Sequence, residues 1–284
     1  MVSYNDIYIK TRNKLKNLGV EACSQEARMI VAKAAGKTVQ ELLKDIQLYT
    51  IPEIAERADA LVERRASGEP VAYILGEWEF YGVSLTITPD VLIPRPDTEI
   101  LIDAAKEILI GNNMNARVLD LCCGSGCIAC SMAKEMPATK IVAADISNSV
   151  LDVCRKNISD NRFSSRIICM QADATVTPPC GIGTFDMIIC NPPYIPSEEI
   201  LTLDDSVKNF EPMWALDGGQ DGLKFYKQII KYWKSIIRSG GSLLFEVGEG
   251  QAKSVKEMLL AAGFKSASIK KDHSGTERVV IGTY

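Results

Sequence analysis

The chain has 284 residues and a formal net charge of −4, from 32 Lys+Arg against 36 Asp+Glu, and 46% of its residues are hydrophobic. That is the make-up of a globular protein with enough core for one large or two ordinary domains. No apolar run reaches the roughly 18 residues of a spanning helix, and residues 1 to 75 carry 11 Lys+Arg against 10 Asp+Glu, so neither a membrane nor a nucleic-acid duplex is an expected partner.

The start, Met1-Val2-Ser3-Tyr4-Asn5-Asp6, lacks the basic and apolar segments of a secretory signal, and nine cysteines form no regular framework. Both features point to a reducing, cytoplasmic setting. Cys122, Cys123, Cys127 and Cys130 include a C-x-x-C, which raises zinc or iron-sulfur binding. No second pair completes it, and the only histidine is His273, so these cysteines are read as small apolar loop and helix residues and no metal is expected.

The first part reads as helices. Tyr4 to Leu18 and Ser24 to Ala35 have helical spacing and glycine stops at Gly19 and Gly36. Thr38 to Glu41 and Thr50 to Glu53 each match a capping box, which predicts helix starts at both, the second running to about Ser67. From Glu69 the pattern changes: Trp78, Phe80 and Tyr81, then Gly82, then Val83, Leu85 and Ile87 alternate about a glycine, which predicts a β-hairpin. These signals divide the chain into a helical domain at 1–75, a hairpin linker at 76–95 and a catalytic domain at 96–284.

In Leu92-Ile93-Pro94-Arg95-Pro96-Asp97-Thr98-Glu99 two prolines fix Arg95 in an extended segment. Asp97 or Thr98 then caps a helix to about Ile110. Arg95 is suited equally to a ligand carboxylate and to an acidic neighbour. Beyond it strand and helix alternate, with strands expected at Arg117 to Leu121, Lys140 to Ala144, Ile167 to Gln171, Phe185 to Cys190, Gly241 to Val247, Ser266 to Lys270 and Arg278 to Gly282. Helices are expected at Gly126 to Met136, Asn148 to Ser159, Leu223 to Ile237 and Gln251 to Ala262. The fold class is therefore α/β, a doubly wound Rossmann-like sheet behind a helical bundle.

Two stretches carry the chemistry. The apolar strand Phe185 to Cys190 ends in Asn191-Pro192-Pro193-Tyr194, because proline cannot continue the ladder. Strand carboxyl ends are where open sheets bind ligands. There the Asn191 side-chain oxygen and the proline carbonyls can accept both N–H bonds of a planar NH2, and Tyr194 can stack on its face. An amide nitrogen is a poor nucleophile, so holding and aiming it is useful catalysis.

The second stretch is Cys122-Cys123-Gly124-Ser125-Gly126, a glycine turn between a strand and a helix, followed about twenty residues on by Asp145 at the next strand end. That pair describes a nucleoside site. Gly124-x-Gly126-x-x-Ala129 with Asp145 also satisfies the dinucleotide pattern. Asp120 suits a cationic ligand better than a pyrophosphate, and no proton relay for hydride transfer is evident, so S-adenosylmethionine fits better than NAD. Asp173 and Ala174, after the third strand, fall beside the adenine; Asp173 can equally be a turn cap.

Taken together these residues resemble the HemK/PrmC family of glutamine N5-methyltransferases that modify peptide chain release factors. The resemblance covers nearly the whole chain. It is carried by Gly68-Glu69-Pro70 with Tyr73 to Gly76, Leu92 to Glu99, Asp120 to Gly126, Asp145-Ile146-Ser147, Asn191 to Ile195, Phe210-Glu211-Pro212, Asp221-Gly222-Leu223, Glu246-Val247-Gly248 with Gln251, and Lys271-Asp272 with Gly275 and Arg278. It implies a class I methyltransferase fold, an N-terminal domain that helps to recognise the release factor, and methyl transfer to the glutamine of its Gly-Gly-Gln motif. It further implies that Cys122, Cys123, Gly124, Ser125, Gly126, Asp145, Asp173, Ala174 and Asn191 bind S-adenosylmethionine. The glutamine amide is then held by Asn191, Pro192, Pro193 and Tyr194, with Asn191, Pro192 and Tyr194 acting in catalysis. The family usually has glycine at Cys122, threonine or similar at Cys123, and often an aromatic residue at Ala174. The alternative activity is adenine N6 methylation of nucleic acid, since Asn-Pro-Pro-Tyr alone is shared with such enzymes. Gly218-Gly219-Gln220 repeats the acceptor tripeptide within this chain and is read as coincidence.

Overall fold

A computed structural model of the chain describes residues 1–112, 115–272 and 274–284, so His273 lies outside the described residues. The chain forms two compact units, one of Met1–Glu77 with Asp205–Phe210 and one of Trp78–Asp204 with Glu211–Tyr284.

The first unit holds β1 (Val2–Ser3), α1 (Tyr4–Asn17), α2 (Cys23–Ala35), α3 (Val39–Lys44), β2 (Tyr49–Thr50), α4 (Pro52–Ala66) and α5 (Val71–Leu75). Ser3 caps α1 and Thr38 caps α3, each through a reciprocal capping box. The box expected at Thr50 does not form. Thr50 is instead paired with Val2 in the β1–β2 ribbon, and α4 starts one residue later with Ile51 as its cap and Pro52 in the first turn. Proline there has φ preset for a helix and no N–H to leave unsatisfied, so it starts the helix without a side-chain cap. Tyr4, Ile7, Val31, Leu42 and Ala58 bury one core of this unit, and Leu15, Ala27, Ile30 and Val62 a second.

The second unit opens with the expected hairpin, β3 (Glu77–Phe80) and β4 (Val83–Thr86). Its turn residues Tyr81 (φ 50°) and Gly82 (φ 66°) are both left-handed, the twist that matches flanking strands. Next come α6 (Glu99–Asn112), β5 (Arg117–Leu121), α7 (Cys127–Glu135), β6 (Lys140–Asp145), α8 (Asn148–Asp160), β7 (Ile167–Gln171) and β8 (Phe185–Cys190). The short α9 (Asp205–Lys208) belongs to the first unit, and the second resumes with α10 (Lys224–Trp233), β9 (Ile237–Glu246), α11 (Ala252–Ala261), β10 (Ser266–Lys271) and β11 (Glu277–Thr283). All seven strands expected of the main sheet are present.

Their order is β10-β11-β9-β8-β5-β6-β7. The run β9-β8-β5-β6-β7 is parallel, while β11 pairs antiparallel with both β9 and β10. The chain winds outward from β5 through β6 to β7 and then returns to β8 on the other side of β5. The reversal of direction therefore lies between β5 and β8, where such sheets leave a crevice. Parallel strands covered on both faces need continuous apolar runs, and Phe185, Met187, Ile188, Ile189, Cys190, Leu243, Leu244 and Phe245 are all fully buried. Trp233 and Tyr226 from α10 are among the largest side chains in that core, with the Tyr226 ring edge-on to Phe245 at 5.2 Å.

Candidate active site

Register places the functional residues in one row. Leu121 of β5 pairs with Ala144 of β6 on one side and Cys190 of β8 on the other. The residues that follow, Cys122, Asp145 and Asn191, therefore emerge side by side at the carboxyl edge. Asp145 pairs with Gln171 of β7, and Cys190 with Phe245 of β9, which extends the row to Ala172–Ala174 at one end and Glu246 at the other.

The loop after β5 is held open by backbone conformation. Cys122 (φ 62°), Gly124 (φ 52°) and Gly126 (φ 79°) are all left-handed. Glycine tolerates this without steric cost, whereas a residue with a side chain is strained by roughly 1–3 kcal/mol. At Gly126 a Cβ would also meet the Cys154 sulfur at 2.7 Å. Cys122 occupies a position built for glycine. Cys122→Gly is expected to leave stability unchanged or raise it by up to about 1 kcal/mol, and Cys122→Ile to lower it by roughly 2 kcal/mol, as read by denaturant unfolding. Equal stability of all three would show that the turn is not strained.

Two side chains fasten this loop. Asp145 accepts the Gly124 N–H at 3.1 Å and the Ser147 N–H at 3.4 Å. Burial holds its carboxyl above the usual carboxylate range, against those N–H groups, which lower it. Asn157 of α8, fully buried, donates to the Ser125 carbonyl at 2.9 Å and closes a two-way pair with the backbone of Thr86, accepting at 2.7 Å and donating at 3.0 Å.

The row opens on a cavity of about 330 Å³, within the usual size of a small-molecule site. Cys122, Cys123, Gly124, Ser125, Asp145, Asp173, Ala174, Asn191 and Pro193 line it. Pro192 and Tyr194 do not: Pro192 is buried and Tyr194 half-buried behind that wall. Asp173 lines the cavity and also caps a turn, its Oδ1 accepting the Thr175 N–H and hydroxyl, both at 2.7 Å.

Residues 98–204 match the model of the Methyltransferase small domain, and residues 6–76 match that of the PrmC N-terminal domain. A release factor glutamine methyltransferase of Thermodesulfovibrio yellowstonii is 40% identical over 243 residues, which cover 83% of this chain and 86% of the relative. One of Geobacter sulfurreducens is 37% identical over 272 residues, 96% and 93% of the two chains. The chain belongs to the release factor glutamine methyltransferase family. Among solved structures, the hMettl16 catalytic domain in complex with MAT2A 3'UTR hairpin 6 covers 83% of both chains with a TM-score of 0.57, and at 18% identity it shows the fold alone.

In this member of the release factor glutamine methyltransferases the acidic residues near the row divide by environment. Arg95 lines the cavity and pairs with Glu211, whose carboxylate is buried and also accepts the Ile93 N–H at 3.2 Å. An acidic neighbour thus takes the guanidinium. Asp120 does not reach the cavity. Its Oδ2 accepts the Ala129 N–H at 2.9 Å and its Oδ1 has no hydrogen-bond partner, so it stands behind the loop that it was expected to serve from the front.

Complete burial pushes the Asp120 carboxyl from 3.8 up to about 7, against the Ala129 N–H, which lowers it, and with Asp145 raising it further. Between those values the folded chain keeps a proton that the unfolded chain has released. The contribution is full below pH 3.8 and is lost as pH rises through about 7. At 1.36 kcal/mol per unit it is worth at most roughly 4 kcal/mol. The melting temperature is therefore expected to fall between pH 5 and pH 8, and to fall less in Asp120→Asn, which keeps the acceptor and removes the titration. Parallel slopes for the two proteins would contradict this account.

Sequence reasoning missed several members of the site. Leu92, Pro94, Thr98, Ile128, Trp214, Lys224 and Phe225 also line the cavity. Thr98 accepts from Asn191 Nδ2 at 3.3 Å, and the Tyr194 hydroxyl donates to Glu246 at 3.4 Å. Glu246 was legible by the rule that selected Asn191, since it ends the neighbouring parallel strand. Gly218 is explained by packing, because a Cβ there would meet the Tyr194 Cα at 2.7 Å, and this supports reading Gly218-Gly219-Gln220 as coincidence. Among the described residues no group of three or more His, Cys, Asp or Glu could hold a metal ion, and no helix is long and apolar enough to cross a membrane.

Proposed function

We propose that this methyltransferase moves the methyl group of S-adenosylmethionine onto the side-chain N5 of the glutamine in the Gly-Gly-Gln motif of peptide chain release factors. The observation that carries the reading is that Asn191, at the end of the strand beside β5, opens on the same cavity as Gly124 and Asp145, in a chain of this family. The lining suits that methyl donor. Asp145 offers a carboxylate to ribose hydroxyls, the backbone of Gly124 and Ser125 permits close approach, and Ile128, Ile146, Ala172 and Ala174 give apolar walls for a base. When bound, S-adenosylmethionine supplies an electrophilic methyl on a sulfonium.

The chain's own residues orient the acceptor. Asn191 Oδ1 takes an N–H bond of the glutamine amide, and Pro193 closes the wall beside it, with Pro192 buried behind. Tyr194, expected to stack on the amide, does not line the cavity; it backs the wall instead, with its hydroxyl on Glu246. With the amide held, the nitrogen faces the methyl, and its extra proton departs to solvent or a backbone carbonyl after attack. Residues 1–75 serve as the domain that helps to recognise the release factor, 76–95 as the hairpin link and 96–284 as the catalytic domain. The nine free cysteines suit action in the cytoplasm.

The deciding measurement is mass spectrometry of the Gly-Gly-Gln peptide of a release factor incubated with this protein and S-adenosylmethionine. One added methyl on that glutamine is the expected result. An unmodified peptide, with methyl appearing on adenine of nucleic acid, would overturn the substrate and leave the methyltransferase.

A further inference from the structure

A residue at a strand end is only as well placed as the chain on both sides of it. Upstream of Asn191 the backbone is secured, because Cys190 pairs with β5 and β9. Downstream come Pro192 and Pro193, which have no N–H to tie them down. Beyond them the Tyr194 carbonyl accepts from the side chain of Gln251, Nε2 to oxygen at 2.8 Å.

Gln251 is half-buried at the start of α11, and both ends of its amide are engaged. Oε1 accepts the Gly248 N–H at 3.0 Å and lies 3.3 Å from the Tyr226 hydroxyl. Nε2 faces the Tyr194 carbonyl and, at 3.5 Å, that of Gly222. A backbone N–H can only donate and a carbonyl can only accept, so the amide has a single orientation. Two glycines make room for it. A Cβ at Gly248 would meet Gln251 Oε1 at 3.0 Å and the Tyr194 ring at 3.1 Å, and one at Gly222 would meet Gln251 Nε2 at 2.5 Å. Glu246-Val247-Gly248 with Gln251 and Asp221-Gly222-Leu223, far apart in the chain, thus close on one carbonyl. Just past it the Ile195 N–H donates to the Leu216 carbonyl and the Ser197 N–H to that of Gly219, both at 3.0 Å.

We propose that Gln251 is a positioning residue that fastens the Tyr194 carbonyl and so holds the segment Asn191 to Tyr194, keeping Asn191 and Pro193 in place on the cavity wall. This rests on the function proposed above. Gln251 does not line the cavity; it acts through the segment that it grips.

The test compares full-length Gln251→Glu and Gln251→Met with the unmodified protein, with rates counted per cofactor-binding site so that unfolded molecules do not enter. Gln251→Glu keeps an acceptor for the Gly248 N–H and sets an oxygen against the Tyr194 and Gly222 carbonyls. It is expected to lower kcat for release factor methylation by roughly 10–100-fold, with affinity for S-adenosylmethionine within about threefold of the parent. Gln251→Met keeps the length, adds no charge and removes both halves of the grip. The same split is expected of it, and it carries the test where the charged variant does not fold.

A second readout needs no substrate. In hydrogen–deuterium exchange the Ile195 and Ser197 amides are expected to exchange about tenfold faster in Gln251→Met than in the parent, while Ile188 and Ile189 inside β8 keep the parent's rate. Unchanged kcat in the folded variants, a loss of cofactor affinity as large as the loss of kcat, or unchanged exchange at Ile195 would overturn the proposal. If the unmodified protein leaves release factors unmethylated, the proposed function fails, and the exchange rates still decide whether Gln251 fastens the segment.

Discussion

Asn191→Ala is expected to lower kcat for glutamine methylation by roughly 10²–10³-fold and to leave the affinity for S-adenosylmethionine within about tenfold of the parent. The asymmetry follows from position. Asn191 follows β8 and lines the cavity with Pro193, while Asp145 at the end of β6 and Gly124 and Ala174 in the loops after β5 and β7 line it from other elements. In the arrangement proposed above, removing the Asn191 amide takes away an acceptor for the substrate nitrogen and leaves the nucleoside end intact. Single-turnover rates and calorimetric titration of the cofactor separate the two effects. Equal losses in both would place Asn191 with cofactor binding and remove it from orientation.

Asp145→Ala is expected to show the opposite split. The carboxylate lines the cavity and also holds Gly124 N–H, so its loss loosens the loop and, in the arrangement proposed above, costs contacts to ribose. Each hydrogen bond to a charged group contributes about 1.5–3 kcal/mol, and an affinity loss on the order of 100-fold is expected. At saturating cofactor kcat is expected to return to within a few-fold of the parent. A kcat loss that saturation does not repair would mean that Asp145 acts on the reacting end.

Much of the fold was legible because local and tertiary demands agree. Phe185 to Cys190 could only be a covered strand, and Pro192 had to end it, so Asn191 was marked as a strand-end residue before any geometry was known. Gly124 and Gly126 likewise announced left-handed backbone. Thr50 misled because its residue type satisfied a capping pattern, while its backbone was committed to pairing with Val2 and Pro52 could start the helix unaided. Asn157 and Trp214 left no local signal, and Thr98 was legible only as a candidate helix cap. Their roles arise from convergence across the unit: Thr98 meets a residue 93 positions away and Asn157 one 71 positions away. No window of sequence contains both partners. Arg95 was recognisable as a placed guanidinium, but only the fold shows which carboxylate it faces.

Cysteine in the left-handed turn at position 122 illustrates a second limit. A family pattern can flag the departure, but the sign of its effect depends on the φ angle that the loop adopts.

The central position of β8 has a consequence for the acceptor. Its backbone is paired along both edges, with β5 and β9, and such strands in a covered sheet open only with the whole protein. Asn191 is anchored to that strand and cannot travel to meet its target. The adaptation required for a productive encounter therefore falls on the incoming polypeptide. In the arrangement proposed above, a glutamine locked in a helix or sheet cannot turn its amide to Asn191 within the cavity. A glutamine preceded by two glycines can, because that backbone bends without a steric toll. Selection at this site thus operates on the freedom of the substrate chain as much as on its chemistry.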